Sequence, residues 1–194
     1  MEIDGFSQAV AALRAGEPVV FPTDTVYGLG IAVEHATSPS ALYALKQRAA
    51  NKPIAWLVDG PDALDRYGAD VSDQARELVR AQWPGALTVI VKAGPAVPAA
   101  FQSHAGTIGL RMPDDEVALA LIGAVGCPLA TTSANRSGGP DPRCFSDVDP
   151  QLIELVSASV HDDRVRSGTP STVLDCSGDE VVVLRQGAFV FGKV

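Results

Sequence analysis

The stretch VVFPTDTVYGLG, Val19–Gly30, decides how the first part of the chain folds, because it changes character in its middle. Its first three residues predict a buried strand, and the Thr-Asp-Thr that follows Pro22 favours a turn. Two interpretations are open for the small polar residues and the two glycines. They form a turn beside a core strand, or they form the edge of a ligand pocket.

The composition predicts an ordinary globular protein. The chain has 194 residues, of which 46% are apolar and 20% charged, and a chain of this length buries a core without disulfides or metals. No apolar run reaches the roughly 18 residues of a membrane span, and residues 1–16 lack the pattern of a signal peptide. We therefore expect a soluble cytoplasmic protein with no membrane partner. Cys127, Cys144 and Cys176 are widely spaced, which predicts neither a disulfide framework nor a zinc site.

The net charge of −8 argues against nucleic acid as a tightly bound partner. Nucleic-acid binding draws mainly on Lys and Arg that neutralise phosphates, so a standing, high-affinity nucleic-acid partner is not expected. The 15 Lys and Arg residues still leave room for a local basic cavity that holds one small polyphosphate.

Helical and strand patterns alternate along the chain, which predicts one α/β domain with a twisted, mixed sheet of parallel and antiparallel strands and flanking helices. We place Ser38 as the cap of the second helix and Pro39 at its first position. The predicted helices cover 6–13, 38–48, 72–83, 114–126 and 150–156, and the predicted strands cover 19–21, 54–58, 86–93, 107–112, 128–132, 171–176 and 180–186.

Three cations, Lys46, Arg48 and Lys52, lie at and just after the end of the second helix. One interpretation is a solvated helix end, where cations are favoured by the helix dipole. The other is a clamp for a triphosphate, in which the Arg48 guanidinium grips two oxygens at once. In either case we expect Lys46 and Arg48 to contribute little to the core.

Further polar clusters follow predicted strands. The run TTSANRSGG, 131–139, offers hydroxyls and an amide to ligand oxygens, a base or a ribose, or it is a polar loop with turn residues. Arg111 is either an edge residue or the partner of a carboxylate. Ser171 and Arg185 lie at the ends of the last two predicted strands. Neither residue by itself distinguishes a structural role from a binding role. The chain has no Gly-x-Ser-x-Gly elbow or complete dinucleotide fingerprint, which disfavours serine hydrolases and the familiar nucleotide folds.

Taken together, these motifs resemble the YrdC-like family. FPTDTVYGLG, KQR followed by NKP, WPGALTVIV, GLRMP, TSAN, STV and LRQG occur in the family's order and spacing, over about 19–187. Within the family, the chain is similar to the short, single-domain bacterial threonylcarbamoyl-AMP synthases. The resemblance implies a YrdC-like catalytic domain over 1–187, a C-terminal tail over 188–194, and a sheet built around a deep positive cavity.

The resemblance also implies an activity. Family members condense L-threonine, bicarbonate and ATP into threonylcarbamoyl-AMP and pyrophosphate, and partner proteins transfer the threonylcarbamoyl group to tRNA. Mg²⁺ bound with ATP is the expected cofactor, and no metal ligand is assigned to the protein. Direct binding to tRNA is expected to be weak at most, given the charge of −8.

Residue roles follow from the same resemblance. The catalytic pair is Lys46 and Arg48. Leu57 occupies the position at which some members of the family, mostly the longer ones, carry a histidine near the bound threonine. Asp24 and Tyr27 are expected to support the threonine pocket rather than to take part in the reaction. The threonine pocket is assigned to Thr25, Arg111, Thr131 and Ser171, and the ATP site to Arg48, Lys52, Thr107, Ser133, Asn135, Asp141 and Arg185. The glycines Gly28 and Gly30 are expected to let the backbone approach a ligand closely.

A second class of function stays open, a non-catalytic YrdC-like module that binds RNA, including double-stranded RNA, or regulates other proteins. That function requires a basic outer face, and the charge of −8 weighs against it. A third relation, to the carbamoyltransferases that mature hydrogenases, requires zinc-finger and acyl-phosphatase segments that this sequence lacks.

Overall fold

A computed structural model describes residues 4–47, 54–162 and 164–192. In these ranges the helices are α1 Phe6–Arg14, α2 Ser40–Lys46, α3 Ala63–Tyr67, α4 Asp73–Gln82, α5 Glu116–Val125 and α6 Pro150–Leu155. The strands are β1 Val19–Phe21, β2 Gly28–Ala32, β3 Ala55–Leu57, β4 Gly68–Ala69, β5 Leu87–Ala93, β6 Thr107–Arg111, β7 Leu129–Ser133, β8 Ala158–Ser159, β9 Thr172–Asp175 and β10 Val182–Arg185.

All the described strands belong to one sheet, which confirms the predicted α/β fold. The strand order is β10-β9-β5-β6-β3-β7-β2-β1-β8, and β4 pairs with β5 outside this path. The pairs β1/β8, β3/β6 and β5/β9 are parallel, whereas the neighbouring pairs β2/β7, β3/β7 and β5/β6 are antiparallel. The sheet is therefore mixed, as the irregular spacing of the strands predicts.

Side-chain caps fix the starts of α4 and α5. The Ser72 hydroxyl accepts a hydrogen bond from the backbone N–H of Ala75 at the start of α4. Asp115 Oδ1 accepts from the N–H groups of Val117 and Ala118, each at 3.0 Å, and so caps α5. The prediction for α2 is wrong by one position, since Pro39 occupies the cap position and the helix begins at Ser40.

The glycines of the opening stretch lie inside a strand, so the first of the two interpretations, a turn, is wrong for them. Gly28–Ala32 forms β2, and all five residues are buried. This strand pairs with β1 on one side and with β7 on the other. Only the segment 22–27 between β1 and β2 is irregular, so the loop that carries Thr25 is held between two strands of the sheet.

Successive side chains of β5 point alternately into the hydrophobic core and toward the candidate site. Leu87, Val89 and Val91 are buried in the hydrophobic core, whereas Thr88 and Ile90 line a large cavity on the opposite face of the sheet.

The segment after β10 packs against the rest of the domain. Phe189 is partly buried against the core, and its carbonyl accepts a hydrogen bond from Thr172 Oγ1, so the described residues 188–192 are not detached from the domain.

Within the described ranges, none of the helices has the length and apolar character needed to cross a bilayer.

Candidate functional site

A cavity of about 590 Å³ opens on one face of the sheet. Its volume falls in the range of small-molecule sites. The described charged residues of its wall include Arg111, Arg185 and Asp141. Eight of the twelve residues that the sequence assigns to a site line this cavity, namely Thr25, Thr107, Arg111, Thr131, Ser133, Asp141, Ser171 and Arg185.

Arg111 is the buried cation of the cavity. It ends β6, which lies between β5 and β3, so the interpretation as an edge residue is wrong. Its Nη2 lies 2.5 Å from Asp24 Oδ1, its Nη1 donates to Thr25 Oγ1 at 3.0 Å, and its Nε donates to the Gly85 carbonyl at 3.0 Å. Burial lowers the pKa of Arg111, and the charge of Asp24 opposes that shift. A guanidinium remains charged even so.

The loop that carries Thr25 is fixed by hydrogen bonds on both sides. Thr23 Oγ1 donates to the carbonyl of Val26 at 2.7 Å and lies 3.2 Å from Thr25 Oγ1. The carbonyl of Thr25 accepts from the N–H of Gly168 at 2.9 Å. The Thr25 hydroxyl is therefore held at the cavity wall beside the Arg111 guanidinium.

A second polar centre joins the ends of β5, β9 and β10. Ser171 Oγ lies 2.8 Å from Thr88 Oγ1 and accepts from Arg185 Nη2 at 3.2 Å. Arg185 also donates to the Ser171 carbonyl from Nη2 at 2.8 Å and from Nε at 3.1 Å. Burial lowers the pKa of Arg185, and Asp141 opposes the shift. Ser171, a residue of the predicted threonine pocket, thus contacts Arg185, a residue of the predicted ATP site.

Lys46 lies in a different environment from the one expected. Its side chain is buried, and its ammonium donates to the carbonyl of Ser133, to the carbonyl of Asn135 at 2.6 Å and to Asn135 Oδ1 at 2.7 Å. The expectation that Lys46 contributes little to the core is therefore wrong. The ammonium anchors the polar run after β7 through three acceptors of the protein itself.

Asn135 organises the same run. Its Nδ2 donates to the Gly139 carbonyl at 2.8 Å and to Asp141 Oδ1 at 3.1 Å, while its Oδ1 accepts from Ser133 Oγ at 2.8 Å. These contacts hold Ser133 and Asp141 at the cavity wall. Asn135 itself is not among the described lining residues. The two remaining cations of the predicted clamp, Arg48 and Lys52, lie outside the described residues.

The two glycines of β2 make room for a threonine side chain. A Cβ on Gly30 would lie 2.9 Å from both Phe21 Cε1 and Thr131 Oγ1, and one on Gly28 would lie 3.0 Å from Thr131 Cγ2. Gly28 lines the cavity, but Gly30 is not among its described lining residues. For Gly30 the predicted reason, close approach of a ligand, is therefore replaced by close packing against Thr131.

Asp24 and Tyr27 make contacts that agree with the expected supporting role. Asp24 pairs with Arg111. Tyr27 is fully buried, and its hydroxyl lies 3.3 Å from Asp162 Oδ1. Burial raises the pKa of Tyr27 to about 12, so its phenol stays protonated at neutral pH.

Sequence reasoning missed several polar residues of the wall. Thr88 is a polar residue at an alternate position of an otherwise apolar strand, and that pattern could have placed it on the cavity side. His104 lies in an exposed loop, where the sequence gives no signal for a site. Leu57, at the position where some YrdC-like members carry histidine, also lines the cavity. The missed polar lining residues include Thr23, Thr88, His104 and Thr132.

Comparison with known proteins places these features in a family. Residues 11–187 match the family of Sua5, YciO and YrdC, described as "Telomere recombination". A putative threonylcarbamoyl-AMP synthase of Mycobacterium tuberculosis is 37% identical over 183 residues, covering 94% of this chain and 84% of that protein.

Two solved structures have the same fold. Pyrococcus abyssi Sua5, solved in complex with L-threonine, is 30% identical and matches with a TM-score of 0.86 over 94% of this chain and 54% of its own. E. coli YciO is 28% identical and matches with a TM-score of 0.87 over 96% of this chain and 91% of its own. The chain thus spans about half the length of the Pyrococcus protein and nearly the whole of YciO.

Proposed function

The chain belongs to the Sua5, YciO and YrdC family, and we propose that it is a threonylcarbamoyl-AMP synthase. The reaction condenses L-threonine, bicarbonate and ATP to threonylcarbamoyl-AMP and pyrophosphate. Two lines of support are the relatives of that name and the L-threonine bound in the Pyrococcus relative.

The observation that carries the proposal is the pair of polar centres in one cavity. Arg111 with Thr25 offers a guanidinium and a hydroxyl to a carboxylate. Arg185 with Ser171 offers a second guanidinium, and Asp141 lies on the same wall. We assign the first centre, with Thr131 and Ser171, to threonine and the second, with Thr107, Ser133, Asn135 and Asp141, to ATP.

The chemistry requires little covalent participation by the protein. The deprotonated amine of threonine adds to carbon dioxide derived from bicarbonate and forms a carbamate. A carbamate oxygen attacks the α-phosphorus of ATP, the bond to the β-phosphate oxygen breaks, and pyrophosphate leaves with the electron pair. The protein holds the reactants in line and stabilises the charge that grows on the phosphates. Arg185 serves that second task in this proposal, together with Arg48 and Lys52.

Mg²⁺ is proposed to enter with ATP. Among the described residues there is no group of three His, Cys, Asp or Glu side chains suited to hold a metal, and Asp141 is the carboxylate among the described lining residues. A site with one carboxylate fits the usual coordination of Mg²⁺ in nucleotide sites, where most of its ligands are phosphate oxygens and water. The ion supplies neutralisation of phosphate charge.

The adenylate is proposed to pass to partner proteins that modify tRNA. The net charge of −8 favours transfer through such partners over tight, direct tRNA binding by this chain. The same charge disfavours the alternative of a double-stranded RNA-binding module.

Two conservative substitutions test the assignment of the two centres. Arg111→Lys keeps the charge but loses the planar fork, so we expect it to raise the KM for threonine more than the KM for ATP. Arg185→Lys is expected to do the reverse. Both KM values are measured by pyrophosphate release, with circular dichroism as the control for folding. An equal effect of both variants on both substrates would contradict the assignment.

A further inference from the structure

The loop that leads into β6 forms one part of the wall of the candidate site. Ser103, His104 and Thr107 of this loop line the cavity. Backbone hydrogen bonds close the loop, since the N–H of Ser103 donates to the Thr107 carbonyl and the N–H of Gly106 to the Ser103 carbonyl, each at 2.9 Å. Gly106 has a φ of 70°, a left-handed conformation that glycine adopts without strain. The loop therefore has a defined shape without a ligand.

The hydroxyl of Ser103 lies at the centre of this loop. Its oxygen accepts hydrogen bonds from the N–H of Ala105 at 3.2 Å and from the N–H of Thr107 at 3.1 Å. The same oxygen lies 2.7 Å from Thr107 Oγ1. A hydroxyl group has two acceptor lone pairs and one proton. Because the two N–H groups occupy both lone pairs of Ser103 Oγ, the hydrogen bond to Thr107 Oγ1 uses the Ser103 proton.

This direction determines what the Thr107 hydroxyl can do. Thr107 Oγ1 accepts the Ser103 proton, so its own proton points elsewhere. Among the described residues, Thr107 Oγ1 has no other hydrogen-bond partner. Thr107 is partly exposed and lines the cavity. Its proton is therefore available to an acceptor atom of a molecule bound in the cavity.

The position of Thr107 favours the nucleotide as that molecule. Thr107 begins β6, and Arg111, which we assign to the threonine carboxylate, ends the same strand. A strand rises about 3.3 Å per residue, so the two residues lie roughly 13 Å apart. One threonine molecule is too short to contact both. The Thr107 hydroxyl therefore belongs to the part of the cavity that we assign to ATP.

We propose that Ser103 is a positioning residue for ATP, which fixes the Thr107 hydroxyl as a donor to an acceptor atom of the nucleotide. This inference rests on the proposed function, since that function assigns ATP to Thr107. In this role Ser103 acts through Thr107. The nucleotide must then present an oxygen or a ring nitrogen to Thr107, because an amino group alone would leave the Thr107 proton without an acceptor.

Calorimetric titration of the whole chain with ATP and Mg²⁺, without threonine, tests this role. Thr107→Val removes the donor and keeps the shape of the side chain, so we expect ATP to bind about fivefold more weakly, as the loss of one neutral hydrogen bond allows. Ser103→Ala leaves the Thr107 hydroxyl free to turn, and we expect a loss of about threefold. Ser103→Thr keeps the serine-like hydroxyl and is expected to restore the ATP affinity to within about twofold of the wild type.

A double variant distinguishes positioning from a purely structural role of the loop. If Ser103 acts through Thr107, adding Ser103→Ala to Thr107→Val causes no further loss of ATP affinity. A further loss of about threefold would show that the two effects are independent and would overturn the proposal. Unchanged ATP affinity in Ser103→Ala alone would also overturn it. Circular dichroism is the control for folding of each variant.

Failure of this inference is distinguishable from failure of the proposed function. Pyrophosphate release by the wild-type protein tests the function, whereas the ATP affinities of the variants test the role of Ser103. A wild-type protein that releases pyrophosphate, with equal ATP affinity in all the variants, would overturn only the role of Ser103. A wild-type protein that binds no ATP would overturn both.

Discussion

The carboxylate of Asp24 lies 2.5 Å from the guanidinium of Arg111, and the two side chains are only 16% and 8% exposed. The same guanidinium reaches the hydroxyl of Thr25, so Asp24 holds the cation that adjoins the cavity without being among the described lining residues. The pair fixes the loop after β1 to the end of β6. It thereby connects the stability of the fold to the geometry of the site.

Removal of the Asp24 carboxylate should destabilise the protein. Asp24→Ala leaves the buried charge of Arg111 without its partner, and we expect the free energy of unfolding to fall by about 3 kcal/mol. Urea denaturation measures the change. Asp65→Ala is the matched control, since it removes the partner of Arg76 on an exposed surface and should have little effect. Equal denaturation midpoints for both variants would contradict the role given to Asp24.

Lys46 should also be needed for stability. Lys46→Met keeps much of the side-chain length but removes three hydrogen bonds to the run after β7, so we expect a loss of about 2 to 4 kcal/mol. Thermal unfolding measures it. Lys92→Met is the control, because that side chain is 54% exposed in its ion pair with Asp70. If Lys46→Met unfolds at the wild-type temperature, the ammonium does not anchor the run.

Gly30 should not tolerate a methyl group. The Cβ of Gly30→Ala would meet Phe21 and Thr131 at 2.9 Å, and we expect a cost of about 1 to 3 kcal/mol from overpacking. Gly123→Ala, on the exposed face of α5 with nothing within 4 Å of the new Cβ, should instead stabilise the protein by up to about 1 kcal/mol. Equilibrium unfolding in urea compares the two, and a neutral Gly30→Ala would refute the close-packing explanation.

The three cysteines should differ in reactivity toward a thiol reagent at pH 8. Cys127 and Cys176 are buried, and burial raises the pKa of Cys176 to about 11, so these thiols stay protonated. Cys144 is partly exposed. We expect one fast thiol in the native protein, lost in Cys144→Ser, and three in denaturant. A second fast thiol in the native protein would show that the core opens more readily than its packing indicates.

The sequence predicts the regular elements better than the contacts of the site. Capped and periodic helices such as α4, and apolar strands such as β5, follow from local patterns. The strand β2 does not, because glycines that favour turns are there required by the packing of Thr131, which is distant in sequence. Family resemblance identifies eight residues of the cavity wall. It does not show that Lys46 is buried, because the carbonyls that bind it come from another part of the chain.

Pyrophosphate release with each substrate left out in turn tests the central claim most directly. The assay contains the full chain, ATP, Mg²⁺, L-threonine and bicarbonate, and the nucleotide product is identified by its mass. We predict that pyrophosphate forms only when threonine and bicarbonate are both present, together with an adduct of AMP that carries both. Release that continues unchanged without threonine, or no release with every component present, would contradict the proposal that this cavity makes threonylcarbamoyl-AMP.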